Sequence, residues 1–249
     1  MDLKNAVAVV TGGNGGLGQR ICRALAAAGA HIAVVYARSA GEAEGVVGEL
    51  RSHGVEAAAF ACDVTQPAQV HDLVDQVVRR FGRLDILIND AAYNKAIPFR
   101  DLDALTIDEW SKILDVNLTG PLHCIKAVAP VMQKQGRGRI VNISSIAGLG
   151  PTGSSIAYAV SKAGLIHLTK CMAVALAPNV LVNCVAPGLL EGTRATANLL
   201  KSQIELSANS SLLKRAADKD DVADQVVTMC RTETMTGQTV VIDAGRTFH

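Results

Sequence analysis

The chain has 249 residues, 49% of them hydrophobic but only 3% aromatic, and its net charge is +1. A core of Ala, Val, Leu and Ile follows, and no long-range field is available to recruit nucleic acid or an anionic membrane. The six cysteines (Cys22, Cys62, Cys124, Cys171, Cys184 and Cys230) form no Cys-x-x-Cys pair. They read as small buried hydrophobes in a reducing compartment, not as disulfides or metal ligands, and no metal site is expected. Met1 to Asn5 does not resemble a signal peptide, and no apolar run reaches transmembrane length, so the expected location is cytoplasmic.

In chain order, Ala6 to Val10 is a short apolar strand ending in a glycine-rich turn, and Leu17 to Ala28 has helical spacing. Strand Ile32 to Val35, helix Ala40 to Ser52, strand Ala57 to Ala61, helix Val70 to Phe81 and strand Leu84 to Ile88 follow. Ile107 to Met132 predicts a long helix, interrupted or bent near Pro121 or Pro130. Then come strand Arg139 to Ile143, helix Ser155 to Leu176 stopped by Pro178, strand Val180 to Val185 and a last strand, Thr239 to Ile242. The steady alternation implies βαβ units in one domain spanning residues 1–249: a doubly wound α/β fold with a seven-stranded, mostly parallel sheet and helices on both faces. The polar stretch 189–217 breaks the rhythm just after a strand's carboxyl end, where such sheets bind ligands, and is expected to be a substrate lid.

Thr11-Gly12-Gly13-Asn14-Gly15-Gly16-Leu17-Gly18 lies between the first strand and the first helix. That context lets backbone N–H groups approach a pyrophosphate, so the turn predicts a dinucleotide site. The second strand ends in Tyr36-Ala37-Arg38-Ser39, with no acid before Glu42 to hold a ribose 2′-hydroxyl. Arg38, with Ser39, can pair with a 2′-phosphate instead, favouring NADP(H) over NAD(H); a solvent-facing strand-end arginine is the plain alternative. Tyr158 and Lys162 stand at i and i+4, where an ammonium can stabilise a tyrosinate and lower the phenol's pKa. Ser144 and Ser145 follow the fifth strand, where a hydroxyl can meet a substrate carbonyl or merely cap a turn. Asn117, unfavourable inside a helix, either bends it and holds a water or is simply tolerated.

These elements together resemble the short-chain dehydrogenase/reductases over essentially the whole chain. Thr11-Gly-x-x-x-Gly16-x-Gly18, Asp63-Val64, Asn117, Ser145, Tyr158-x-x-x-Lys162, Pro187-Gly188 and Thr236-Gly237-Gln238 occur in the family's order and near its spacings. The resemblance implies a Rossmann fold and an oxidoreductase acting on a small-molecule carbonyl or alcohol. It implies Tyr158 as general acid or base, Lys162 binding the nicotinamide ribose, Ser145 orienting the carbonyl and Asn117 fixing a relay water. By the same token Gly12, Asn14, Gly15, Gly16, Leu17 and Gly18 would hold the pyrophosphate, and Asp63 and Val64 the adenine. Asn89 and Ala91 would line the cofactor cleft, and Pro187, Gly188 and Leu190 the nicotinamide side. Family members are commonly tetramers, so a homotetramer or homodimer is expected.

Three departures stand out. The family's Asn-Asn-Ala-Gly reads Asn89-Asp90-Ala91-Ala92, Gly15 replaces the basic residue of many NADP-using members, and Gly192 takes the place of the threonine after Pro-Gly, with Thr193 next. The strand end at Tyr36-Ala37-Arg38-Ser39 resembles that of some 3-oxoacyl-carrier-protein reductases. Two rivals keep the fold: a non-catalytic dinucleotide-binding regulator, and an epimerase or dehydratase.

Overall fold

The computed structural model describes residues 1–193, 196 and 201–248. Seven strands form one sheet in the order β3-β2-β1-β4-β5-β6-β7: β1 (Val7–Thr11), β2 (His31–Tyr36), β3 (Ala57–Ala61), β4 (Ile86–Asn89), β5 (Gly138–Ile143), β6 (Val180–Pro187) and β7 (Thr239–Ile242). Every neighbouring pair is parallel, so the expected mostly parallel sheet is wholly so. β1, β4 and β5 are buried along their whole lengths, which explains their apolar runs: a parallel strand covered on both faces has no solvent side to alternate with.

The covering helices are α1 (Gly18–Ala27), α2 (Ala40–Arg51), α3 (Pro67–Phe81), α4 (Ile107–Leu114), α5 (Gly120–Lys134), α6 (Ile156–Leu176), α7 (Lys201–Ser210) and α8 (Lys219–Arg231). One core joins the sheet to α1, α2 and α8 through residues such as Ile21, Val47 and Val226; the other joins it to α3, α5 and α6 through Val77, Ile125 and Leu176. The chain moves outward from β1 to β2 and β3, then returns to place β4 on the other side of β1. The reversal opens a crevice at the carboxyl ends of β1 and β4, where the fold binds ligands.

Of the two expected outcomes for the long helix, the interruption near Pro121 is the one found. Asp115–Thr119 forms a π-helical turn between α4 and α5, one residue short of Pro121, while Pro130 is accommodated inside α5. A Cβ on Gly120 would lie 2.7 Å from the Val64 side chain, so the backbone can pass there only as glycine. The wider turn carries Asn117 inward to complete burial.

α6 corrects another expectation: its 21 residues, with a mean hydropathy of 1.3, are long and apolar enough by composition to cross a membrane. Here it packs on β6 and buries polar Ser161, Lys162 and Thr169 along with Leu165, Ile166, Ala173 and Leu176. The cysteines are free, and all but Cys171 are buried. Of the expected lid, residues 194, 195 and 197–200 lie outside the described residues. Leu190 pairs with Ala217 across its base, and α7 lies within it.

Candidate active site

The glycine-rich turn is held by contacts that exclude side chains. Gly12 has φ of +67°, and a Cβ on Gly18 would sit 2.3 Å from the Gly12 carbonyl oxygen. A Cβ on Gly16 would meet the Gly192 carbonyl at 2.8 Å, so the loop after β6 closes over the turn at glycine distance. Thr11 Oγ1 accepts the N–H groups of Asp90 and Ala91, each at 3.1 Å, and stitches the end of β1 to the loop after β4. α1 has neither a side-chain cap nor an acid in its first turn, and its N-terminus opens on a cavity of about 420 Å³ lined by Gly12, Gly15, Gly16 and Leu17. A bare helix start behind a side-chain-free cradle fits a dinucleotide's pyrophosphate.

Asn14 is buried, and its Nδ2 donates to the Arg38 carbonyl at 3.0 Å and, more weakly, to that of Ser39 at 3.5 Å. The side chain therefore grips the neighbouring loop and does not face the cavity. Ser39 takes φ of +63°, and Arg38 is exposed, with no carboxylate partner among the described residues. Asp63 is exposed and binds Thr65 through both its N–H and its hydroxyl, while Val64 is buried against Gly120. Asn89 departs from expectation. It is the last residue of β4 and donates to Asn142 Oδ1 at 2.8 Å; Asn142 in turn donates to Thr169 on α6. It ties strands to a helix, and its neighbour Asp90 lines the cavity with Ala91.

Across the cavity stand Ser145, Tyr158 and Lys162. Ser155 caps α6 by accepting the Tyr158 N–H at 3.1 Å, which fixes where the helix begins. Ser161 Oγ donates to the Tyr158 carbonyl and accepts from Asn117 Nδ2, while Asn117 also exchanges two hydrogen bonds with the Tyr93 backbone. The Asn117 side chain is thus fully committed to protein partners. Lys162 Nζ donates to the Ile143 carbonyl at 2.9 Å and lies 5.7 Å from the Tyr158 ring centroid. The adjacent serines divide their work. Ser144 is buried and donates to the Lys162 carbonyl, whereas Ser145 hydrogen-bonds the Tyr158 side chain.

The electrostatics differ from the sequence expectation of a Tyr158 phenol lowered by Lys162. Burial pushes the phenol above its ordinary range, the Ser145 hydrogen bond opposes this, and the charge of Asp90 adds to the rise. Burial brings Lys162 down to about 8, against Asp90 and the Cys184 thiol. Burial likewise raises Asp90 to about 8, against the Lys162 charge and a hydrogen bond from the Gly18 backbone N–H. Sequence reading missed Asp90 as a site residue. Its signals were an acid where the family carries an amide, and strand alternation that turns positions 89 and 90 to opposite sides. Asn94, Thr152, Ser154 and Arg246, also in the cavity wall, lie in loops with no motif to mark them. Pro187, Gly188 and Leu190 line it as expected, and a Cβ on Gly188 would meet Asp243 at 2.9 Å.

A nucleotide cradle facing a Ser-Tyr-Lys cluster across one crevice defines a dinucleotide-dependent oxidoreductase. The chain matches the short chain dehydrogenase family over residues 6–204 and belongs to it. It is 36% identical over 246 residues to the 3-oxoacyl-acyl-carrier-protein reductase of Staphylococcus epidermidis, covering 97% of this chain and 98% of that one. Among solved structures it resembles an NAD⁺-bound xylitol dehydrogenase, with TM-score 0.88, 32% identity and coverage of 98% and 100%. It also resembles the NADPH-dependent 3-quinuclidinone reductase of Rhodotorula rubra, with TM-score 0.90, 28% identity and coverage of 98% and 92%. The chain is therefore an enzyme acting on CH–OH or C=O groups of small molecules with a nicotinamide cofactor.

Proposed function

We propose that the enzyme interconverts a carbonyl and a secondary alcohol with NADP(H) in preference to NAD(H), using Tyr158 as general acid in reduction and general base in oxidation. The observation that carries this reading is the meeting of Ser145, Tyr158 and Lys162 on the cavity wall that faces the glycine-rich turn. The nicotinamide, when bound, supplies or accepts the hydride. Ser145 donates a hydrogen bond to the substrate oxygen and holds it beside the Tyr158 hydroxyl. Tyr158 gives that oxygen its proton as the carbonyl is reduced, and removes it in the reverse direction. Lys162, with its ammonium beside the phenol, stabilises the tyrosinate left behind. Asn117 holds the Tyr93 loop and α6 together and so positions the pair. The reading as a non-catalytic regulator falls with the family assignment.

Tyr158→Phe keeps the ring that packs in the wall and removes the proton. It is expected to bind cofactor normally and to lose about 10²–10⁴-fold in turnover, the usual contribution of a general acid–base group. Cofactor fluorescence titration and steady-state rates on a panel of ketones check this; near-normal turnover sinks the mechanism.

We further propose a homo-oligomer, tetrameric or dimeric. α6 buries one face but leaves Val160 at 43% and Val174 at 83% exposure, with Ala163 exposed between them. Light scattering at micromolar concentration should give a multiple of 26.0 kDa. A monomer mass refutes this.

A further inference from the structure

Among the described residues, Arg246 is the one arginine in the cavity wall, and the mechanism above gives it nothing to do. Its backbone is held firmly. Asp243, buried just after β7, accepts the N–H groups of Gly245, Arg246 and Thr247 at 2.9, 3.1 and 2.7 Å, and the Thr247 hydroxyl at 2.7 Å. The turn so formed leans on the loop after β6: the Gly188 N–H donates to the Ile242 carbonyl at 2.8 Å, beside the close approach of Gly188 to Asp243. The guanidinium itself is mostly uncommitted. Its Nη1 donates to Ser207 Oγ on α7, an uncharged partner, while Nε and Nη2 have no partner among the described residues. Nε and Nη2 form the side-on edge of the group, which matches a carboxylate or phosphate with two parallel N–H···O bonds.

We infer that the substrate carries, besides its reacting carbonyl or alcohol, an anionic group (a carboxylate or a phosphate) held by the free edge of Arg246. The inference rests on the proposed chemistry at Tyr158. The sheet sets the spacing. Ser145 follows β5 and Arg246 follows β7, two strands away, or roughly 10 Å at the usual strand separation. An arginine side chain bridges much of that distance, so the two ends of one small molecule can meet both residues. Asp90, the one carboxylate in the wall among the described residues, follows β4. It stands three strands from β7, roughly 14 Å, and does not take up the Arg246 charge. Elsewhere in the wall, the Thr193 and Thr196 hydroxyls are spent on each other and on the Leu190 carbonyl. Asn94 Oδ1 accepts from Ser154, which leaves the Asn94 amide N–H groups, again donors, for a ligand. Around the reacting centre the wall thus offers a positive charge and hydrogen-bond donors, the complement of an anion.

The hydrogen bond to Ser207 gives Arg246 a second, purely structural use, tying the C-terminal segment to α7. The two uses separate by experiment. Loss of a clasp affects charged and neutral substrates alike, whereas loss of an anion anchor changes the ratio between them.

The test compares kcat/KM for paired ketones that differ in charge, with saturating NADPH or NADH, whichever the enzyme turns over faster. Oxo acids from a 2-oxo acid to a 5-oxo acid are set against their methyl esters, and dihydroxyacetone phosphate against dihydroxyacetone. The wild type is expected to favour the anion of at least one pair by about tenfold, expressed in KM. That is the low end for charge-assisted hydrogen bonds, since Arg246 is exposed. The pair that shows the preference tells carboxylate from phosphate. Arg246→Gln should bring the ratio of that pair to about one, whereas Ser207→Ala, which removes the clasp and keeps the charge, should preserve it. Equal rates within every pair in the wild type overturn the proposal and leave the Tyr158 reading standing. So does a preference that survives Arg246→Gln, or one lost equally in Ser207→Ala. A defect of Arg246→Gln that appears in the cofactor's KM and not in the ratio assigns the guanidinium to the cofactor and is equally a refutation. Absence of turnover with every ketone, charged or neutral, removes the functional reading and this proposal with it. If Arg246→Gln does not fold, inhibition of the wild type decides the matter. A saturated carboxylate or methyl phosphate must compete with a neutral ketone where the matching amide or methanol does not, and equal behaviour of the two is a refutation.

Discussion

The two ends of β4 carry an aspartate each, and the two are treated in opposite ways. Asp85, just before the strand, is fully buried and saturated. It accepts two hydrogen bonds from Arg83 at 2.6 and 2.7 Å and one from the Val7 N–H at 2.9 Å, and Arg137 lies 3.8 Å away. Asp90, just after the strand, receives one backbone N–H and looks into open space. Only four residues of strand separate them. At the amino edge of the sheet the charges are spent on one another, and the result is stability. At the carboxyl edge the backbone donors and side-chain charges are left partly unspent, and the result is a site. A group's chemistry here follows from how completely the fold has satisfied it.

Breaking the saturated end should have the larger effect, and on folding alone. Asp85→Ala strands the Arg83 guanidinium and the Val7 N–H, and is expected to cost about 3–5 kcal/mol of stability, the usual penalty for removing one partner of a buried pair. The lower part of that range applies, because the Arg83 side chain is 38% exposed and water can reach it. Denaturant unfolding measures the loss, and folded protein should retain its cofactor affinity. A matching loss of affinity would show that the two ends are not separable.

The smaller effect lies at the outer rim of the carboxyl edge. Arg38→Ala should cut kcat/KM for NADPH about ten- to hundredfold and leave NADH almost unchanged, as expected from losing charge-assisted hydrogen bonds of about 1.5–3 kcal/mol. The lower end is expected, since Arg38 is exposed and Gly15 supplies no second cation. A parent enzyme that already prefers NADH, or equal losses with both cofactors, would remove Arg38 as the selectivity residue.

The regular parts of the fold were legible because they are set by local patterns. Buried parallel strands announce themselves as short Val and Ile runs, and the turn from Thr11 to Gly18 has its meaning fixed by the strand and helix around it. Details that depend on contacts between distant segments were not. The π-helical turn at Asp115–Thr119 goes with Val64 pressing on Gly120, two residues far apart in sequence. Ser144 and Ser145 look equivalent until α6 packs beside them and its Lys162 carbonyl engages the first. Asn89 was placed in the cleft by motif, yet its side chain turns toward Asn142, and the residue that lines the cavity is Asp90, one position on. Residues such as Arg246 reach the cavity from the chain's far end, by a path that no periodicity records.

The Asn14 tether has a consequence for how coenzyme choice can change over evolutionary time. Its amide holds the loop after β2 through the carbonyl oxygens of Arg38 and Ser39, not through their side chains. Every amino acid supplies that carbonyl. Mutation can therefore exchange the Arg38 side chain while the loop keeps its attachment to the glycine-rich turn; Ser39, at φ of +63°, is less free. If Arg38 reads the 2′-phosphate as proposed, coenzyme choice can be retuned at that one side chain without loosening the glycine-rich turn.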